Sequence, residues 1–204
     1  HHKNGRRVYY PHDPAPYIDG IRINSPHYLC KIRLDPAASR KYTLVVSQYE
    51  KSTTIFYTLR AYGREAFELK SSDTNLTTNL QINGEWNSSN LTAGGCQNHK
   101  TFKNNPLYKV TLATDGNMVV ELRGPKVYQV GLELTVGSLD DPNITAPFIS
   151  KTTETYRSGF CVLDLDNLPA GKYYIRTSTY LPNQEGPFFL KLKSTAKLQI
   201  EKEN

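Results

Sequence analysis

Short segments in which apolar and polar residues alternate recur along the chain, and clusters of turn-forming residues separate them. A period of two is typical of half-buried β-strands, and no window keeps a helical period beyond a turn or two. The pattern predicts strands at His27–Leu34, Tyr42–Tyr49, Thr53–Tyr62, Tyr108–Leu112, Met118–Leu122, Gln129–Val136, Phe160–Leu165, Tyr173–Thr177, Phe188–Leu192 and Lys197–Ile200.

The spacing of these segments indicates the fold class. Many short strands about ten residues apart, separated by Gly/Pro turns, favour an all-β fold, an antiparallel β-sandwich. The dipeptide Asp115-Gly116 is a strong hairpin signal between the strands on either side of it.

The chain also resembles itself at a fixed spacing, as a tandem of one module does. The matching positions are Cys30, Leu34, Tyr42 and Ser47 in the first copy and Cys161, Leu165, Tyr173 and Ser178 in the second. We therefore expect residues 1–70 to be the C-terminal part of a first sandwich. Residues 71–75 are predicted to be a linker, and residues 76–204 a complete second sandwich.

The net charge of +6 lies entirely in the first copy. Residues 1–70 contain twelve Lys and Arg against six Asp and Glu, whereas residues 71–204 contain thirteen of each class. No run of basic residues interleaves with aromatic residues, so we expect no binding of nucleic acid. A membrane-targeting, phospholipid-binding module of the C2-like class stays open as an alternative function.

The cysteines are Cys30, Cys96 and Cys161, an odd number with wide spacing. This pattern favours reduced, buried thiols in an intracellular protein. A secreted adhesion-type sandwich stays open as a second alternative, because the chain contains glycosylation sequons that such a protein would use. They begin at Asn75, Asn87, Asn90 and Asn143.

A Gly-rich segment carries the densest group of unusual residues. Cys96 with His99 nearby suggests a nucleophile and a base, but no third group is evident to orient the histidine, so a structural role is favoured. The motif comprises Gly84, Trp86, Gly94, Gly95, Cys96, Asn98, Asn105, Pro106 and Tyr108. It resembles the opening of the calpain-type β-sandwich, the C2-like domain that follows the protease core in calpains.

Other segments are similar to the PalB-type atypical calpains in particular. They are Val45-Val46-Ser47-Gln48-Tyr49-Glu50, Glu121-Leu122-Arg123-Gly124-Pro125 and Gln184-Glu185-Gly186-Pro187-Phe188-Phe189. The resemblance implies a calpain domain III fold and a cytoplasmic parent protease, with an endosomal or nuclear location as alternatives. It also implies the protease core of the same protein as a partner, and ESCRT-associated proteins as partners of the parent chain.

The resemblance does not extend to catalytic or cofactor sites. None of the cysteines is followed by Trp, as the calpain nucleophile is, so we expect a non-catalytic regulatory or docking region without peptidase activity. No cofactor is expected, and calcium has only weak candidate ligands in Asp140 and Asp141, and in Asp164 with Asp166. Candidate docking residues are Arg123, Gln184 and Glu185.

Overall fold

The computed structural model describes residues 2–3, 7–10, 13, 15–16, 18–21, 24–35, 37, 41–48, 52–71, 76–137 and 150–203. The chain divides into two compact units, His1–Asp73 and Thr74–Asn204. The predicted linker falls largely outside the described residues, so the assignment of residues 71–75 stays a prediction.

The described part of the first unit contains far less strand than the sequence pattern predicts. Strand β1 (His2–Lys3) pairs antiparallel with β2 (Tyr42–Thr43). The predicted strands His27–Leu34 and Thr53–Tyr62 are wrong, because both segments are described and neither is a strand. A strand needs hydrogen-bonding neighbours, and a two-stranded pairing is marginal by itself.

Most of the described apolar side chains of the first unit are exposed. Phe56 is 97% exposed and Leu29 is 92% exposed, and no described residue of this unit is buried. Cys30 is also exposed, which corrects the expectation that all the thiols are buried. The described part of the first unit therefore has the alternating pattern of a sandwich without a core.

The second unit is an antiparallel β-sandwich, which confirms the predicted fold class. Its strands are β3 (Thr78–Trp86), β4 (Leu107–Leu112), β5 (Gly116–Arg123), β6 (Gln129–Val136), β7 (Ser150–Thr152), β8 (Arg157–Ser158), β9 (Phe160–Leu168), β10 (Gly171–Thr179), β11 (Gly186–Ser194) and β12 (Leu198–Lys202). A 3-10 helix spans Lys100–Asn104.

These strands form two sheets. One has the order β12-β4-β10-β6-β7, with β8 also paired to β6, and the other has the order β3-β11-β5-β9. All pairings within them are antiparallel. We refer to them as the six-stranded sheet and the four-stranded sheet.

The seven strands predicted in this half are all present, several of them longer than predicted. Strands β3, β7 and β8 were not predicted. The hairpin predicted at Asp115-Gly116 is wrong, because β4 and β5 belong to different sheets and the turn carries the chain from one to the other. The Asp115 carboxylate instead accepts a hydrogen bond from the backbone N–H of Ala170, at 2.8 Å.

The core lies between the sheets and is built mainly from alternate positions of the longer strands. On β10, Tyr173 and Ile175 are buried, whereas Lys172, which points to the opposite face of the sheet, is exposed. The largest fully buried side chains are Trp86, Tyr108, Tyr173, Phe188, Leu112, Met118, Leu122, Leu134, Leu168, Ile175, Leu190 and Leu192. Apolar burial of this kind is the main stabilising contribution to a folded domain. Among the described residues, no helix is long and apolar enough to cross a membrane.

Candidate functional site

One buried asparagine holds the Gly-rich segment that follows β3. The backbone N–H of Gly94 donates to Asn105 Oδ1 at 2.9 Å, and Asn105 Nδ2 donates to the carbonyl oxygens of Gly95 (2.7 Å) and Phe102 (2.9 Å). The Thr101 hydroxyl donates to the Gly94 carbonyl at 2.7 Å. Asn105 has no exposed surface, so water does not reach these groups and the Asn105 side chain supplies their hydrogen-bond partners instead. The asparagine of the motif therefore fixes the path of the loop.

The glycines of this segment are required by close packing. A Cβ on Gly94 would collide with the backbone carbonyl of Thr101. Gly95 has φ +75°, which favours glycine, and a Cβ there would lie 2.6 Å from the backbone nitrogen of Pro182. The Gly-rich loop is thus packed directly against the β10–β11 loop.

The tryptophan of the motif anchors an aromatic cluster in the core. Trp86 Nε1 donates to the Thr177 carbonyl at 3.3 Å, and the Trp86 and Phe188 ring centroids are 4.6 Å apart. Tyr108 meets the Phe188 ring edge-on, with centroids 6.4 Å apart. A Cβ on Gly84 would overlap Phe188, which lies directly opposite it on β11. The absent side chain at Gly84 is what lets the rings approach.

Cys96 and His99 are near in sequence but do not form a catalytic pair. The Cys96 side chain is buried, and its backbone N–H donates to the Tyr180 carbonyl at 3.1 Å. The His99 N–H donates to the Cys96 carbonyl at 3.0 Å, a turn contact. Within the described residues, the thiol and the imidazole share no hydrogen bond. Asn98 of the same motif is exposed, and Pro106 is buried with its carbonyl accepting from the Thr177 N–H.

The three candidate docking residues fall at one end of the sandwich but differ in their freedom. The Glu185 carboxylate accepts from the Ser88 N–H at 2.7 Å, and the backbone hydrogen bond to Ser88 lowers the pKa of Glu185. Gln184 Oε1 accepts from the Leu181 N–H at 3.2 Å. Arg123 keeps 65% of its side chain exposed and lies 5.2 Å from the centroid of the Phe160 ring. Arg123 and Glu185 are therefore both exposed, whereas Gln184 is half-buried.

A polar cluster on the outer face of the six-stranded sheet was missed by the sequence analysis. Arg176 and Glu133 lie directly opposite each other on β10 and β6, with Arg176 Nε 3.8 Å from Glu133 Oε2. Gln97 Nε2 donates to Glu133 Oε1 at 2.7 Å, and Arg176 Nη1 donates to the Asn105 carbonyl at 3.1 Å. Burial lowers the pKa of Arg176, against the opposing effect of Glu133. In the sequence, Arg176 and Glu133 each stand at an outward-facing position of a predicted strand, and that alternation was the available signal.

A cleft of about 220 Å³ opens beside this cluster. Within it, the Tyr156 hydroxyl shares a 2.7 Å hydrogen bond with the Ser178 hydroxyl, and burial raises the pKa of Tyr156 to about 12. The phenol is therefore neutral at physiological pH. The lining residues are Cys96, Gln97, Asn98, Phe102, Leu132, Glu133, Thr152, Thr153, Glu154, Tyr156 and Tyr180.

A second ion pair lies on the outer face of the four-stranded sheet. Glu121 is 7% exposed, and its carboxylate accepts from Lys193 Nζ at 2.9 Å. Burial alone would raise the pKa of Glu121, but the hydrogen bond and charge of Lys193, with the charges of Arg123 and Lys191, lower it overall. The carboxylate is therefore held in its charged form.

Comparison with known proteins finds one family and several proteins to which this chain is similar. Residues 82–124 match the family model described as calpain large subunit, domain III. Calpain-7 of Homo sapiens is 49% identical over 199 residues, which is 97% of this chain and 24% of that protein. The calpain-like protease palB of Emericella nidulans is 25% identical over 182 residues, 86% of this chain and 20% of that protein.

The chain is similar to calpain-7 over nearly its whole length, which supports a calpain-7-type region. The chain spans about a quarter of the length of the Homo sapiens relative, 24% of that protein. The activity of the whole protein is therefore only proposed for this chain. The matched residues 82–124 contain the complete motif from Gly84 to Tyr108, and Arg123 as well.

No cation site emerges from the described residues of this calpain-7-type region. In that part of the chain, no group of three or more His, Cys, Asp or Glu side chains could hold a metal ion. Asp140 and Asp141 lie outside the described residues, so their role stays a prediction. Asp164 and Asp166 are exposed on alternate positions of β9.

Proposed function

We propose that this calpain-7-type region is a non-catalytic regulatory and docking region of a calpain-like cysteine endopeptidase. In this role it supports the protease core of the same protein and contributes to the recognition of substrates or partner proteins. The proposal rests on similarity to calpain domain III and on the structural roles of the motif residues, which pack the core and fix the Gly-rich loop.

The observation that carries the proposal is the environment of Cys96. A nucleophilic thiol needs access to substrate and a base within hydrogen-bonding distance. Cys96 is 4% exposed, and its backbone N–H is bonded to Tyr180 in a loop that Asn105 fixes. The motif thus serves the fold, and any function at this end of the sandwich belongs to surface side chains.

Arg123 is the surface side chain best suited to docking. Its guanidinium projects from the end of β5, and its neighbours across the sheet are Phe160 and Phe189. Phe189 is 45% exposed and Phe160 is half-buried, so a planar cation is flanked on the sheet by two aromatic residues. Arginine and aromatic residues are enriched at the centres of protein interfaces.

The proposal is tested in the full-length protease that contains this region. Hydrolysis of a short fluorogenic peptide is compared with hydrolysis of a protein substrate, for the intact protease and for a form lacking the region. A short peptide cannot use a remote docking surface. We expect the truncated form to lose protein cleavage, with peptide cleavage falling as well if the region also holds the core in its active arrangement.

A point substitution separates docking from support. We expect Arg123→Ala to reduce cleavage of the protein substrate while peptide turnover stays unchanged, since Arg123 lies outside the packed core. Lys100→Ala, which also removes an exposed cation, serves as the matched control. If the truncated protease cleaves both substrates at the rates of the intact enzyme, the proposed function is wrong.

A further inference from the structure

Strand β3 forms an open edge of the four-stranded sheet. It pairs in an unbroken register with β11 from Thr78 to Trp86, and within the described chain its other edge forms no backbone hydrogen bonds. Every second residue of such a strand directs its N–H and C=O outward. Its outer-face side chains are all exposed; they are Asn79, Gln81, Asn83 and Glu85.

The other strand edges of the second unit carry features that discourage pairing, and β3 carries fewer of them. At the opposite edge of the same sheet, β9 has exposed acidic residues, and its pairing with β5 has a register shift between Gly116 and Met118. In the six-stranded sheet, β7 has only three residues, and β12 has five with charges at Glu201 and Lys202. β3 has nine residues, a regular register, no Lys and no Pro. Charges, prolines, bulges and short length are the usual protection of an edge strand.

The sequence of β3 is complementary to itself in the antiparallel direction. When two copies pair about Ile82, Asn79 of each lies opposite Glu85 of the other, and Gln81 lies opposite Asn83. The strand has a single charge, Glu85, and this register places an amide donor against it instead of a second carboxylate. On the inner face, the half-buried Ile82 meets its own counterpart. The register thus pairs polar with polar and apolar with apolar side chains.

We propose that two copies of this chain associate through β3, with a two-fold axis at Ile82, so that the two four-stranded sheets become one continuous sheet. Such a contact is isologous and closes as a dimer, which leaves no further β3 edge exposed. The inference does not depend on the proposed protease function. A single strand pairing buries less surface than the ~1,200–2,000 Å² of stable interfaces, so the dimer dissociates on dilution.

The test measures the molar mass of the 204-residue chain by sedimentation equilibrium across a wide range of concentration. We expect a reversible monomer–dimer equilibrium. Asn79→Glu places two like-charge pairs in the interface and weakens dimerisation by about tenfold, from the size of cross-strand pair energies. Adding Glu85→Lys to that variant restores dimerisation, because each pair then has opposite charges.

The charge pattern distinguishes β3 pairing from association through the exposed apolar residues of the first unit. Asn98→Glu adds the same charge at an exposed loop position and leaves the dimer unchanged. A chain that stays monomeric at all concentrations overturns the proposal. So does association that Asn79→Glu does not weaken, or that the double substitution does not restore.

Discussion

Removing the Asn105 side chain should destabilise the second unit strongly. The substitution Asn105→Ala leaves the Gly94 N–H and the Gly95 carbonyl without their partners, in residues that are themselves buried. Each buried unsatisfied group costs about 1–3 kcal/mol, so the expected loss in the free energy of unfolding is about 2–6 kcal/mol. The Phe102 carbonyl keeps the Asn105 N–H as a donor and adds little to this loss.

The assay is equilibrium unfolding in urea followed by tryptophan fluorescence. Trp86 is the single tryptophan of the chain and is buried, so the signal reports the second unit alone. Asn104→Ala is the matched control, since Asn104 is adjacent and exposed, and such surface changes alter stability by about 0.5 kcal/mol or less. The reasoning is refuted if both variants unfold at the same urea concentration with equal slopes.

Three further predictions concern an ion pair, a thiol and a glycine. Because the pKa of Glu121 is lowered in the folded state, its stabilising effect is present above its ordinary pKa of 4.5 and is lost as pH falls through the folded value. Urea midpoints should therefore differ most between the wild type and Glu121→Gln at neutral pH and converge in acid. Cys30 should react with a thiol reagent in the native chain, whereas Cys161 should react only after unfolding, because burial raises its pKa. Gly84→Ala should cost about 1–3 kcal/mol by overpacking the aromatic cluster, as measured by urea unfolding.

Each of these has an internal control. Glu85→Gln changes an exposed carboxylate and should not alter the pH dependence in the same way. Mass mapping of the labelled thiol decides the second prediction, and labelling of Cys161 at the rate of Cys30 contradicts it. Asn83→Ala, at the exposed neighbour of Gly84, should leave the urea midpoint nearly unchanged.

The sequence predicted the fold of the second unit well because most of its strands alternate strongly. Strand β3 was missed although Leu80, Ile82 and Trp86 do alternate, since Asn and Gly between them have low strand propensity. Strands β7 and β8 are too short to show a period.

The first unit shows why pattern alone is insufficient. Cys30 and Cys161 occupy equivalent positions of the repeat, yet Cys161 lies on β9 and is buried, while Cys30 is exposed and outside any strand. Strand β9 has β5 as its neighbour, and the described part of the first unit offers no such neighbour to Cys30. A period of two specifies which face would be buried, and the hydrogen-bonding partners decide whether a strand forms.

For the candidate site, the residue types were predictable and their contacts were not. Adjacent glycines and a lone tryptophan indicated close packing in the sequence. The role of Asn105 depends on carbonyls that the loop and the 3-10 helix bring together. Arg176 and Glu133 lie opposite each other because of the strand register. Neither follows from spacing along the chain.

The pairing of β3 with β11 bears on how the chain is made by the ribosome. The Thr78 hydroxyl donates to the Ala196 carbonyl, 118 residues later, and β3 has no other strand partner among the described residues. At about 5–20 residues per second, translation leaves β3 waiting on the order of 6–24 s for its partner residues. The domain therefore closes only when its last strands emerge, and the nascent segment around Trp86 is open to chaperones until then.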